Sequence, residues 1–156
     1  MTITIYIAGP MFSQAEKRYN KEICERLESL GYWTFFPQRD GSDVDELLRS
    51  GLDWDQVNQQ IFDEDTDGIR NSDIVLFVMD GRVPDDGACV EIGYAYALGK
   101  ECVGFKTDPR CFMSDCDNSM IVGALKNRIA RNKDELLSIL REIALSPDAA
   151  FQEESS

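Results

Sequence analysis

The sequence predicts a three-layer α/β sandwich around a mainly parallel sheet of about five strands. Strand-like and helix-like segments alternate along the chain, the order that builds a parallel sheet covered on both faces. The run "DIVLFVM" at Asp73–Met79 is apolar without alternation, as a central strand buried on both sides requires. Turn residues close the strand-like segments, as in "AGP" at Ala8–Pro10 and "FFP" at Phe35–Pro37.

Taken in order, Thr2–Gly9 ("TITIYIAG") is β-branched and aromatic and reads as the first strand. A helix follows, with Ser13 as its N-cap, Tyr19, Ile23, Leu27 and Leu30 at helical spacing, and Gly31 at its stop. Tyr32–Phe36 is a second strand, and "QRDGSD" a polar loop. A short helix is expected near Asp43–Ser50 and a longer one over Asp53–Arg70, with Trp54, Val57, Ile61 and Ile69 facing inward. After the third strand comes a helix from Gly87 to Gly99, capped by Asp86, then a fourth strand at Glu101–Lys106. "NSMIVGAL" reads as a short helix, "RIAR" as a weak fifth strand, and "NKDELLSILREIAL" as a final amphipathic helix capped by Asn132. Residues 1–146 are thus expected to form one domain, and the acidic segment 147–156 a mobile tail.

A formal net charge of −13 argues against polymeric nucleic acid and anionic membrane surfaces as partners. No apolar run approaches the length of a membrane span, and "MTITIYIAG" does not have the basic opening of a secretory signal. The five cysteines are odd in number and irregular in spacing. Cys24, Cys89 and Cys102 fall in periodic segments, so the expectation is a reduced, cytoplasmic chain without a metal site. The absence of histidine leaves acid–base and nucleophilic work to carboxylates, tyrosine, cysteine or lysine. Neither a P-loop nor a G-x-G-x-x-G turn is present, so the phosphate cradles of those motifs are missing.

In parallel sheets ligands collect at the C-terminal strand ends, which nominates loops 9–13, 37–42, 80–87 and 107–118. Glu91 then draws attention. It lies about one turn into a helix otherwise made of small and apolar residues (Val90, Ile92, Tyr94, Ala95, Ala97, Leu98). Carboxylates often occupy first turns because of the helix dipole. The apolar neighbours leave this one little solvated face, so it needs partners or a task. The cluster "DEDTD" at Asp63–Asp67 reads as a solvated face except at Asp65, which is four residues from both Ile61 and Ile69 and shares their stripe. Tyr6, near the end of the first strand, is either core or a hydroxyl reaching a pocket carboxylate.

"IYIAGPMF", "FDEDTDGIRNSDIVLFV", "DDGACVEIGYAYALGK" and "NSMI", spanning about Ile5 to Ile121, resemble the nucleoside 2-deoxyribosyltransferase family in order and spacing. The resemblance implies a Rossmann- or flavodoxin-like fold and transfer of 2-deoxyribose between nucleobases, with no metal or organic cofactor. It makes Glu91 the nucleophile that holds the sugar covalently, Tyr6 the residue that orients it, and Asp65 the group that meets and protonates the departing base. It brings Asp85 and Asn118 to the sugar's 5′ end, with Asn118 lent to a neighbouring subunit, so that the active sites belong to a homo-oligomer. Gly9, Gln38 and Arg39 complete the substrate-binding candidates, and Gln38, Arg39 and Asp40, in a loop that departs from the family's pattern, are expected to help choose the base. An aspartate at 85, where the related deoxynucleotide N-glycosidases carry a serine, favours nucleosides and free bases over nucleotides. Arg39 and Lys17 remain as cations that could approach a phosphate. Hydrolysis to free sugar and catalytically silent nucleoside or nucleotide sensing are the alternatives on the same fold.

Overall fold

A computed structural model describes residues 2–111 and 116–146. Twelve elements alternate along them. They are β1 (Thr4–Ala8), α1 (Gln14–Glu28), β2 (Trp33–Phe35), α2 (Pro37–Asp40), α3 (Val44–Arg49), α4 (Trp54–Arg70), β3 (Ile74–Val78), α5 (Asp86–Ala97), β4 (Glu101–Phe105), α6 (Ser119–Ala124), β5 (Ile129–Ala130) and α7 (Lys133–Leu145). The five strands form one sheet in the order β2-β1-β3-β4-β5, parallel throughout. The order reverses direction between β1 and β3, the point at which parallel sheets of this kind bind ligands beyond the carboxyl ends of their strands.

The alternation of side chains divides the core in two. Ile5 and Ile7 of β1 face α1 and α7, among Ile23, Leu27, Leu136 and Leu140. Tyr6 and Ala8, one residue out of phase, face the opposite layer with Ile69, Ala88, Ile92 and Ala95. β3 is buried along its whole length, as its unbroken apolar run predicts.

The helix starts follow from capping chemistry. Ser13 and Glu16 form a reciprocal capping box on α1, and Asp53 and Gln56 form another on α4. Asn132 accepts from the Glu135 N–H at 2.9 Å and starts α7.

Four expectations are corrected. The loop after β2 contains a short helix, α2, because Pro37 occupies its first turn, where a missing N–H costs nothing. The cap of α5 is Asp85, whose carboxylate accepts from the Ala88 N–H at 2.8 Å, while Asp86 is already helical. Trp54, at the first residue of α4, is 60% exposed rather than inward. Leu30 is exposed too, because α1 stops at Glu28 and the chain turns through Gly31 at φ +93°. The expected tail, 147–156, lies outside the described residues. Cys24 and Cys102 are core residues and Cys89 is half-buried, all three as free thiols. Among the described residues, no helix is long and apolar enough to cross a membrane.

Candidate active site

Beside the point where the strand order reverses, Tyr6 stands on the sheet face that α4 and α5 cover. The Tyr6 hydroxyl donates to Glu91 Oε1 at 2.6 Å, across 85 residues of sequence. The ring is fully buried. Behind it, Phe35 stacks at 5.4 Å between ring centroids with only 9° between planes, the two residues being register partners across β1 and β2.

Glu91 reaches this hydroxyl from the inner side of α5 and is itself half-buried. Its outward neighbours are apolar but open, Val90 at 67% and Tyr96 at 54% exposure. The helix is therefore apolar on its outer side as well as its inner one, and the carboxylate points away from that outer face toward the sheet.

Asp65 closes the constellation from α4, half-buried and within the influence of the same Tyr6 hydroxyl. Among the described residues, none of the ion pairs involves Glu91, Asp65 or Asp85. The electrostatics follow from that. Burial pushes the Glu91 carboxyl up to about 7, with the charges of Asp65 and Asp85 adding to the rise and the Tyr6 bond opposing it. Burial likewise raises Asp65, with the charge of Glu64 adding and the Tyr6 bond opposing. Tyr6 is driven far above the ordinary phenol value, first by burial and then by the two carboxylates, so it acts only as a donor.

The other sequence candidates are placed as follows. Gly9 lies at the exit of β1, where a Cβ would stand 2.9 Å from Val78 Cβ; only glycine lets the chain pass the end of β3 this closely. Asp85 caps α5 at the rim, so one oxygen is bound to backbone. Asn118 caps α6 by accepting from the Met120 N–H at 2.9 Å, and α6 packs against α5. Gln38 is exposed on α2.

Arg39 does not join them. Its guanidinium donates to Glu28 Oε1 at 2.8 Å, to the Thr34 carbonyl at 2.9 Å and to Asp40 at 2.8 and 2.9 Å. Glu28 and its neighbour Cys24 belong to α1, so these bonds hold Arg39 to the sheet face opposite Tyr6.

Two features escaped sequence reasoning. Phe35 is one; its only signal is a position in register with Tyr6. The other is a buried ion pair of Lys106 with Asp117, supported by Arg131 at 3.3 Å, which anchors the segment leading into Asn118. Neither partner's burial could be read from residues far apart in the chain. Among the described residues, no group of three or more cysteine, aspartate or glutamate side chains is arranged to hold a metal ion.

An α/β domain of 2-1-3-4-5 strand order, with a tyrosine-bound carboxylate and a second carboxylate at its strand ends, defines a class in which carboxylates would do the chemistry. The family profile "Nucleoside 2-deoxyribosyltransferase" matches residues 5–137. The chain belongs to that family. A solved structure of a conserved protein from Enterococcus faecalis is 26% identical, with a TM-score of 0.74 over 91% of this chain and 99% of that one. The 2-deoxyribosyltransferase of Bacillus psychrosaccharolyticus is 25% identical, with a TM-score of 0.61 over 78% of this chain and 82% of that one. A 2-desoxiribosyltransferase from Leishmania mexicana, 21% identical, shares the fold at a TM-score of 0.62 over 92% and 99% of the two chains. No curated protein matches the chain.

Proposed function

We propose that this protein transfers a 2-deoxyribosyl group from one nucleobase to another through a covalent deoxyribosyl-Glu91 ester. The observation that carries the reading is the Tyr6–Glu91 bond at 2.6 Å, which fixes a poorly hydrated carboxylate beside the end of β1.

In the first half-reaction a Glu91 oxygen bonds to the anomeric carbon as the bond from that carbon to the base nitrogen breaks. The electron pair of the broken bond goes to the base, and Asp65 supplies the proton that neutralises it. In the second half-reaction a new base attacks the same carbon, Asp65 takes its proton, and Glu91 leaves as carboxylate. Burial and the charge of Glu64 hold the Asp65 proton more tightly than an ordinary aspartate would. A base lying over Asp65 would withdraw water from it and favour its protonated form, while Glu91 is ionised for attack above its own midpoint.

Nucleosides are the favoured substrates, since Asp85 at the rim would repel a phosphate and Arg39 is bound on the opposite face. Gln38 is the remaining polar candidate on α2 for meeting the base. Hydrolysis is the second reading, favoured by the partial exposure of Glu91 in the single chain; a neighbouring subunit contributing Asn118 would reduce the access of water.

The test is incubation of the protein with a deoxynucleoside, with and without a second free base, followed by chromatography. A new deoxynucleoside is the expected product. Free base formed equally without an acceptor would establish hydrolysis instead, and unchanged substrate would establish a binding module.

A further inference from the structure

Behind the Tyr6–Glu91 pair lies a contact that no step of the reaction uses. The Phe35 ring is stacked flat on Tyr6. α4 also meets this ring, at Gly68, where a Cβ would stand 2.9, 3.0 and 3.1 Å from three Phe35 ring carbons. Gly68 is three residues beyond Asp65, so the two lie on neighbouring parts of one helix face. A glycine in the interior of a helix is unfavourable by about 1 kcal/mol relative to alanine. Here it gives the ring room to lie between helix and strand. Phe35 is only half-buried, and Tyr6 and Gly68 are both buried.

The two carboxylates therefore share a mechanical reference. Tyr6 orients Glu91 through its hydroxyl, and α4 carries Asp65. Phe35 lies against both the Tyr6 ring and that helix. We propose that Phe35, seated against Gly68, is a positioning residue that fixes the Tyr6 hydroxyl relative to Glu91 and Asp65. Its effect passes through the Tyr6 ring: a flat aromatic face at this separation resists tilting, whereas an aliphatic side chain fills volume without defining a plane. Glu91 is faced by Tyr6 from β1, by Asp65 from α4 and by Asp85 from the start of its own helix. Two of these are repelling charges and one is a donor, so loss of the donor's alignment has a definite sign.

The kinetic part of this inference rests on the transferase reading, but the structural part does not, and the experiment separates them. Glutamate carboxyl carbons are labelled with carbon-13, the Glu91 signal is assigned with Glu91→Gln, and its titration is followed by NMR in the parent protein, Phe35→Leu and Gly68→Ala. Both substitutions are expected to raise the Glu91 midpoint by about half a unit to one unit. In Phe35→Leu/Gly68→Ala the smaller side chain makes room for the new methyl group, so the second substitution should add no further rise. With transferase activity present, the acid limb of kcat/KM should move by the same interval, with up to about a tenfold loss below the midpoint and little change on the plateau.

A Glu91 midpoint unchanged in folded Phe35→Leu would overturn the proposal and leave Phe35 as a space-filler. If Phe35→Leu does not fold, Phe35→Met is judged by the same titration and the same criterion. Should the parent protein show no base exchange, the transferase reading fails while the carbon-13 titration still decides the role of Phe35.

Discussion

The two faces of the sheet carry two carboxylate clusters built on opposite principles. On the α1 face, Glu28 accepts from the Thr34 hydroxyl and from Arg39, and these bonds hold its carboxyl below the ordinary glutamate range. On the α5 face, among the described residues, Glu91 accepts from a single hydroxyl and pairs with no cation, and it is raised to about 7. Glu28 lies at the exposed rim of its layer, and its charge contributes to local structure. Glu91 is sequestered, and its charge costs stability. A carboxylate paired with arginine is satisfied and has little left to offer a substrate. One that is desolvated and aimed by a neutral donor is poised to react.

The contrast is open to direct attack. Its largest consequence concerns Glu91→Gln. Base exchange should fall by at least about 10³-fold, read by chromatography, because the amide cannot form the glycosyl ester. The same change should stabilise the fold. An unfolded glutamate titrates near 4.5, whereas the native one keeps its proton until about 7. Between those values the native state binds more protons, so stability declines as pH rises and the penalty is complete above about 7. Chemical denaturation of Glu91→Gln should therefore show a gain of about 3 kcal/mol near pH 8 that vanishes below about pH 4.5. A loss of stability near pH 8 would break the comparison.

Next in size is Asp65→Asn, for which we expect about a 10²-fold slower first half-reaction with ordinary bases and a smaller loss with bases that depart without a proton. Rapid-quench measurement of base release distinguishes the two. Tyr6→Phe removes the one interaction that lowers the Glu91 carboxyl. The acid limb of the kcat/KM profile should then move upward by about one unit, and a downward move would contradict the assignment. The smallest effect is expected on the opposite face. Arg39→Gln should lower the unfolding free energy by about 1 kcal/mol, since the guanidinium is substantially exposed, and should leave the pH profile of exchange unmoved. A changed preference between bases in that variant would return Arg39 to the list of substrate contacts.

Much of this arrangement is legible in the chain because it is carried by local periodicity. The inward stripe of Ile61, Asp65 and Ile69 marks Asp65, and the apolar setting of Glu91 marks a charge that needs a partner, which Tyr6 supplies. Arg39 shows the limit. Its neighbours Gln38 and Asp40 are polar, and nothing local reveals that Glu28, eleven residues earlier, and Thr34 will converge on it. The same limit hides Phe35 and Gly68, whose contact depends on how β2 docks under α4. The cap of α5 fails differently: Asp85 and Asp86 are equally good capping residues, and one residue of register between them is decided by the path of the preceding loop.

The short outer strands have a consequence for handling the protein. β2 spans three residues and β5 two. A parallel sheet ends in rows of unpaired amides and carbonyls that can recruit foreign chains into fibrils. Here each border offers barely one repeat of such a template. The ordered state should therefore resist edge-to-edge aggregation during concentration, and seeded fibril growth would be expected only after β1 or β3 had been uncovered by unfolding.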